Sequence, residues 1–149
     1  MPPRTKAAAG PVIAEDAAVS LVMGPSDFFY RECVDAVWAH AHAADAGTEK
    51  VVIEDAADAA ALTDALDSDM FGGAKLVVIE GSESLEEDAQ AAVLDVARQI
   101  LDGARDDLRL VLWHTNAVKA RKFADELRKA GAHEVVASKL KAYQIDEYL

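Results

Sequence analysis

The sequence predicts a three-layer α/β sandwich with a mainly parallel five-stranded sheet. Short apolar runs, rich in Val, Leu and Ile, recur along the chain with helical segments between them. Strands that alternate with amphipathic helices are typical of parallel sheets covered by helices. A length of 149 residues fits one domain with a sizeable core. These observations favour a single α/β domain without internal repeats.

The first strand is predicted at residues 19–23, and Gly24-Pro25 ends it. Ser26 or Asp27 can cap the helix that follows. The apolar residues of this helix form two adjacent stripes, Phe29, Cys33 and Val37 in the first and Tyr30, Val34 and Trp38 in the second. This position predicts that Cys33 is buried and unreactive.

The second strand is predicted at residues 51–53, and the charged residues beside it are typical of a sheet edge. Asp55 is expected to cap an alanine-rich helix that carries Leu62 and Leu66. The third strand, at residues 76–79, is an unbroken apolar run, which predicts burial on both faces of the sheet.

Two further strands complete the predicted sheet. Ser84 and Glu87 match a capping box, a serine followed three residues later by a glutamate, and predict that a helix begins there and ends at Gly103. The fourth strand is predicted at residues 108–113 and the fifth at residues 134–137.

The helix between these last two strands is expected to begin after a Thr115 or Asn116 cap and to end at Gly131. Its predicted inner face consists of Ala120, Phe123, Ala124 and Leu127.

The chain divides into three parts by composition. We expect residues 1–16 to be a flexible tail, because no apolar segment typical of a signal peptide follows Arg4 and Lys6. Residues 17–140 form the α/β domain. Residues 141–149 begin an amphipathic helix without a cap, which fits either a frayed last helix or a linker toward a further domain.

The turn after the first strand is where a phosphate-binding loop would lie. That loop needs a glycine, four residues, and then Gly-Lys-Ser/Thr. Counted from Gly24, the last three positions hold Phe29, Tyr30 and Arg31. The second glycine, the lysine and the magnesium-binding hydroxyl are all missing, so we expect no nucleotide binding, no ATPase activity and no cofactor.

Metal-binding patterns are weak in this sequence. His40 and His42 are two residues apart and face different sides of a helix, and surface or capping roles are expected for His114 and His133. Three aspartates at the exposed end of the alanine-rich helix are expected to form a solvated helix face: Asp64, Asp67 and Asp69. We therefore expect no metal site.

The charge of the chain limits its partners. A net charge of −12 opposes contact with phosphate backbones, and no apolar run approaches the ~20 residues of a membrane span. Positive charge concentrates in one helical segment, at Lys119, Arg121, Lys122, Arg128 and Lys129. A solvated helix face is the favoured interpretation of that segment, and an electrostatic contact to a partner protein or to DNA is the alternative.

The segment before the third strand is unusual, because the large apolar residues Met70 and Phe71 stand between acidic residues and Gly72-Gly73. Met70 continues the spacing of Leu62 and Leu66, so the pair can belong to the core. An apolar pair rimmed by acids at a helix end can equally be a protein-binding surface. Both readings remain open on the residues alone.

Three stretches of the chain, residues 21–32, 70–80 and 110–148, resemble the N-terminal domain of the delta subunit of the bacterial DNA polymerase III clamp loader. In that family the first strand is followed by Gly-x-x-x-x-hydrophobic-x-Arg/Glu in place of a phosphate loop. A helix then ends in an apolar pair before a glycine and the third strand. A later basic helix precedes a Val-rich strand and a Lys-Leu segment. The same features occur here in the same order, over nearly the whole chain.

The resemblance implies a RecA-like AAA+ fold in a cytoplasmic subunit without ATPase activity. It implies that Met70 and Phe71 match the apolar pair that enters a hydrophobic pocket of the ring-shaped sliding clamp, the beta subunit. Leu66, Gly72 and Gly73 would support that pair. The family usually has Leu-Phe at these positions, so Met70 is a departure, although methionine adapts well to apolar pockets.

The resemblance also implies further partners. The family's full-length proteins assemble with other clamp-loader subunits through two more domains, which lie outside these 149 residues, and meet DNA only as part of the complex. No membrane partner is implied.

Two other readings compete with a clamp-binding module. A P-loop enzyme is disfavoured because Tyr30 stands where the lysine is required. A receiver-like or other non-catalytic interaction domain has the same size and layer arrangement. A receiver, however, needs acidic residues after the first strand, where this chain has Gly24-Pro25.

Overall fold

A computed structural model describes residues 13–67, 73–116 and 119–136 of the chain. In these residues five strands form one sheet in the order β2-β3-β4-β1-β5, and each neighbouring pair is parallel. The strands are β1 (Val19–Met23), β2 (Glu49–Ile53), β3 (Lys75–Glu80), β4 (Leu108–His114) and β5 (His133–Val136).

Four α-helices connect the strands: α1 (Asp27–Ala44), α2 (Ala59–Leu66), α3 (Glu87–Leu101) and α4 (Arg121–Ala130). A short 3-10 turn (Ser82–Ser84) follows β3. The predicted fold class is therefore confirmed, and the sheet is wholly parallel where the prediction was mainly parallel. The strand order is consistent with a RecA-like fold and differs from the 2-1-3-4-5 order of receiver-like proteins.

The core is divided into two layers by the sheet, because alternate residues of each strand point to opposite faces. On one face α1 packs through Tyr30, Cys33, Val34 and Val37. On the other face α2, α3 and α4 pack together over the sheet. Strand β3 is buried over residues 75–79, as the unbroken apolar run predicts, and β2 lies at the sheet edge as its charged neighbours indicate.

The connections of the chain define a crevice at one edge of the sheet. The chain leaves β1 toward β2 at the far edge, and it leaves β4 toward β5 on the other side of β1. The carboxyl ends of β1 and β4 are therefore the point where the direction of winding changes, which is where ligands bind in open α/β sheets.

Helix starts were the least accurately predicted features. Ser26 caps α1 by accepting a hydrogen bond from the Phe29 amide, as predicted. The Asp55 side chain, however, accepts a hydrogen bond from the Ala57 amide in the turn before the helix. Asp58 caps α2 instead, by accepting a hydrogen bond from the Ala61 amide. Both aspartates are followed by alanines, so the residues alone did not separate a turn from a cap.

The predicted capping box at Ser84 and Glu87 is wrong. Ser84 ends the 3-10 turn, and Glu86 stands at the cap position of α3 without a side-chain hydrogen bond to the helix. The Gln90 side chain instead donates to the Leu85 carbonyl. A short 3-10 turn competes with the first turn of the helix for the same serine.

The predicted cap of α4 is also wrong. The helix begins at Arg121, and the residue before it, Ala120, has the left-handed φ of 54° and makes no side-chain cap. Thr115 is occupied elsewhere, because its amide and hydroxyl both donate to the Glu83 carboxylate. Because Thr115 binds Glu83, it does not cap α4, which is the role that the local pattern predicted for it. The end of α4 at Gly131 is confirmed, with a φ of 113°.

Candidate functional site

The crevice at the carboxyl ends of β1 and β4 is filled by protein side chains. Gly24 leaves β1 with a φ of 110°, and its carbonyl accepts a hydrogen bond of 2.8 Å from the Trp113 indole. The Tyr30 ring stacks on the Trp113 ring, with centroids 4.0 Å apart and an interplanar angle of 11°. The Tyr30 hydroxyl donates to the Glu80 carboxylate at 2.5 Å. We call these three residues, Tyr30, Glu80 and Trp113, the Tyr30 cluster.

The electrostatics of the Tyr30 cluster favour a neutral tyrosine. Burial raises the pKa of the Tyr30 hydroxyl, and the hydrogen bond to Glu80 and the negative charge of that carboxylate raise it further. The cluster therefore presents an aromatic surface and an acid where a phosphate site would present a lysine and backbone amides. None of its three side chains carries a positive charge.

A second set of contacts joins the loops that follow β3 and β4. His114 is fully buried, and its Nε2 lies 2.6 Å from the Lys119 carbonyl oxygen. Since a carbonyl can only accept, Nε2 donates this hydrogen bond, and Nδ1 lies 3.2 Å from the Ser82 hydroxyl. The expectation that His114 has a surface or capping role is wrong. The residue holds two loops together, and its burial leaves the Ser82–His114 pair without access to substrate.

The end of α2 is the site region nearest to the predicted binding pair. Leu66 is the last helical residue and is 5% exposed, so it belongs to the core. Gly73 is half-buried at the approach to β3. The other predicted site residues, Met70, Phe71 and Gly72, lie outside the described residues, and so does Asp69.

Two cations bind the carbonyls at this helix end. The Lys75 ammonium donates to the carbonyls of Ala65 and Asp67, both at 2.9 Å. The Arg105 guanidinium donates to the Leu66 carbonyl at 2.8 Å. Arg105 also makes a two-pronged ion pair with Asp107, with both N–O distances close to 3 Å. These hydrogen bonds from Arg105 hold the pKa of Asp107 below its usual value.

Cys33 behaves as its place in the α1 stripe predicts. It is fully buried, and burial raises the pKa of its thiol to about 11, although the nearby Ser20 hydroxyl offsets part of the rise. A thiol that stays protonated and has no solvent access is a poor nucleophile.

Two of the five basic residues in the α4 segment, Arg128 and Lys129, lie close to acidic side chains. Arg128 bridges Asp125 and Glu134, and Lys129 lies 3.9 Å from Glu126. These contacts support the interpretation of this segment as a solvated helix face. Within the described residues no cluster of His, Cys, Asp and Glu could hold a metal ion.

No protein-family model matches the sequence, and no curated protein matches it. Among solved structures the chain is similar to a DNA polymerase III gamma subunit-related protein from Thermotoga maritima. That similarity has a TM-score of 0.47 and 16% identity, and covers 87% of this chain and 44% of the other. The chain thus spans less than half of that protein. Similarity at this level assigns no family, and the fold rests on the strand order and connections of the chain itself.

No helix within the described ranges is both long and apolar enough to cross a membrane.

The sequence indicated that the turn after β1 is where a ligand site would lie, but it did not reveal that the side chains of Tyr30 and Trp113 fill this crevice. It also did not reveal the contacts of Lys75 and Arg105. The sequence carries no local signal for either residue, because their acceptors are backbone carbonyls, which every residue possesses.

Proposed function

We propose that this chain is the clamp-binding module of a bacterial clamp loader, of the delta-subunit type, and that it binds the sliding clamp without hydrolysing ATP. The observation that carries the proposal is a RecA-like strand order combined with a ligand crevice that Tyr30 and Trp113 fill. In this fold the crevice is where a nucleotide would bind, and here side chains occupy it. Such an arrangement suits a subunit that uses the fold for protein contacts.

The absence of ATPase activity is proposed from the chemistry of the crevice. Tyr30 replaces the lysine that would contact the phosphates, and its hydroxyl is engaged by Glu80. An isothermal titration with ATP and Mg²⁺ tests this directly, and micromolar binding would contradict it.

The binding surface is proposed to be Met70 and Phe71, the pair that the family resemblance assigns to the clamp pocket. The described residues on both sides support this assignment. Helix α2 runs back from the carboxyl ends of the strands and ends beside the start of β3, so the flanking residues Asp67 and Gly73 both lie at the amino edge of the sheet. That edge lies opposite the Tyr30 cluster, and the pair does not depend on a nucleotide site.

Binding to a bacterial sliding clamp tests the proposal, measured by surface plasmon resonance with the clamp immobilised. Burying a phenylalanine side chain contributes roughly 1.5–3 kcal/mol, so Phe71→Ala should weaken binding by about tenfold or more. Met70→Ala should weaken it less, because a methionine side chain is easier for the pocket to replace by rearrangement.

Phe28→Ala is the matched control. Phe28 is 64% exposed near the start of α1, at the opposite edge of the sheet from Asp67 and Gly73. An equal loss of affinity in both phenylalanine variants would show that the effect is not specific. A large loss of folding stability in Phe71→Ala with unchanged clamp affinity would place Phe71 in the core and end the proposal for this pair.

Wider assembly belongs to the same proposal. A clamp-binding module of this type would help to open the ring, work in the cytoplasm with other loader subunits through further domains, and contact DNA only through the complex. The competing proposal, a non-catalytic interaction domain for another protein, gains support only if wild-type protein fails to bind any sliding clamp.

A further inference from the structure

An open groove of about 520 Å³ runs between helices α2 and α3. The buried side chains of Leu62 and Leu66 form its floor, and the half-buried Val96 lies on the α3 wall. The space between packed helices is usually filled by interlocking side chains. Here the walls carry short side chains instead: Ala57, Ala59, Ala89 and Ala92. Because alanines are too short to fill the space between the two helices, the groove stays open to the surface.

The dimensions of the groove suit a helix of about three turns. Its α3 wall extends from Asp88 to Gln99, which is about 16 Å along the helix axis. Its α2 wall extends from Ala59 to Asp67, which is about 12 Å. A groove between two helices can hold a third helix, whose large apolar side chains, three and four residues apart, enter it.

The rim of the groove is acidic, with exposed carboxylates on both walls: Asp67, Glu86, Asp88 and Asp95. Glu86 and Asp88 lie at the amino end of α3, where the helix dipole favours negative charge. That reason does not apply to Asp95, in the middle of α3, or to Asp67, at the carboxyl end of α2, where the dipole disfavours it. Helix stability therefore explains only part of the acidic rim.

Positive charge near the groove is paired elsewhere. Arg105 is the one cation among the described residues that line the groove, and its guanidinium forms an ion pair with Asp107. Arg98 of α3 pairs instead with Glu126 of α4. Within the described ranges no lysine or arginine forms an ion pair with any of the four rim carboxylates. The groove therefore combines an apolar interior with uncompensated negative charge.

We propose that this groove docks a basic amphipathic helix of a partner protein. Large apolar side chains of that helix fill the space left by the alanines, and its lysines and arginines lie against the rim carboxylates. A second copy of this chain fits the groove poorly, because two chains with a net charge of −12 repel each other and the basic helix α4 buries its own apolar face. The contact does not depend on clamp binding and adds a second partner to the proposed function.

A fluorescence anisotropy titration with a labelled peptide tests the proposal on the full 149-residue chain. The probe is a helical peptide of about 14 residues, long enough for the groove, with leucines at positions i, i+3, i+4 and i+7 and lysines elsewhere. Physiological ionic strength screens attraction to distant charges. The basic peptide should bind saturably, and a peptide with glutamates in place of the lysines should bind at least about tenfold more weakly. Equal binding of the two peptides, or no saturable binding of the basic one, would overturn the proposal.

Two matched pairs of variants locate the contact. Ala92→Phe places a large side chain in the groove, and Ala39→Phe makes the same change at an exposed position of α1, on the other face of the sheet. Asp95→Lys reverses a rim charge, and Asp35→Lys makes the same change in net charge at an exposed position of α1. The groove variant of each pair should weaken peptide binding by about tenfold, and its control by less than about twofold. All four positions are exposed, and urea titration checks that each variant is folded.

The outcomes distinguish the possible occupants. Equal losses of affinity within each pair would show an attraction to the whole acidic chain and would overturn the proposal. Sedimentation equilibrium of the protein alone tests self-association, and a dimer that Ala92→Phe dissociates would assign the groove to a second copy instead. Losses confined to Ala92→Phe and Asp95→Lys, without such a dimer, support a basic helix as the occupant. Failure of the chain to bind a sliding clamp would end the proposed function and leave this result in place, because the peptide titration contains no clamp.

Discussion

Removing the Tyr30 hydroxyl gives the sharpest test of the Tyr30 cluster. In Tyr30→Phe the ring and its stacking on Trp113 remain, and only the hydrogen bond to Glu80 is lost. Hydrogen bonds to charged groups contribute about 1.5–3 kcal/mol. Glu80 is half-buried, so water can replace part of the contact. We therefore expect Tyr30→Phe to lower the free energy of unfolding by about 1.5 kcal/mol near neutral pH, the lower end of that range.

The same variant makes a prediction about pH. The pKa of Tyr30 is raised in the folded state above its ordinary value of 10.0, so the folded state disfavours the phenolate. The stability that this group contributes is fully present below pH 10 and is lost as the pH rises above 10, because the unfolded chain ionises first. Near pH 11 the loss from an ordinary unfolded tyrosine amounts to about 1.4 kcal/mol. Wild-type and Tyr30→Phe proteins should therefore become about equally stable there.

Paired urea titrations followed by circular dichroism measure both quantities. Other titrating groups change in both proteins alike, so they cancel in the difference between wild type and variant. Glu80→Gln keeps an acceptor for the hydroxyl and removes the charge, and it should cost less than Tyr30→Phe. A variant as stable as wild type near neutral pH, with the same fall in stability at high pH, would refute the hydrogen bond and the raised pKa together.

Three further predictions concern other parts of the molecule. Cys33 should react with a thiol reagent only as fast as the protein unfolds, because it is buried and its pKa is raised to about 11, and rapid labelling without denaturant would contradict this. Gly131→Ala should destabilise the chain by about 1 kcal/mol, since the residue has a φ of 113°. Ala120→Gly, at a φ of 54°, should be neutral or should stabilise the chain by up to about 1 kcal/mol. Chemical denaturation of both variants measures the two effects. DNA binding should be weak and confined to low salt because of the net charge of −12, and tight binding to duplex at physiological ionic strength in a fluorescence anisotropy titration would contradict it.

The parts of the fold that depend on local pattern were predictable from the sequence. Unbroken apolar runs located the strands, because a strand covered on both faces has no polar side. The α1 stripes located its buried face, since an amphipathic helix repeats with a fixed period. The start of α1 was predictable because the Ser26 side chain caps it. The end of α4 was predictable because Gly131 adopts the left-handed conformation that closes the helix.

The parts that depend on long-range contacts were not predictable. Thr115 has the right residue type for a helix cap, but Glu83, 32 residues away, binds its amide and hydroxyl. The apolar stripe of α1 correctly predicted that Tyr30 is a core residue. Its hydrogen bond to Glu80 was not predictable, because the two residues are 50 positions apart and leave no local pattern. Lys75 and Arg105 were missed for the same reason, because their acceptors are backbone carbonyls, which every residue possesses.

The two unpredicted features lie at opposite edges of the sheet and together bear on how the domain works. At the carboxyl edge Tyr30 and Trp113 occupy the crevice in which related architectures couple ligand binding to movement. At the amino edge Lys75 and Arg105 hold the end of α2 against the sheet. Under the proposed function no nucleotide shifts this domain between states, since a ligand changes an equilibrium only through a difference in affinity. The same proposal places the regulation of partner binding outside this domain.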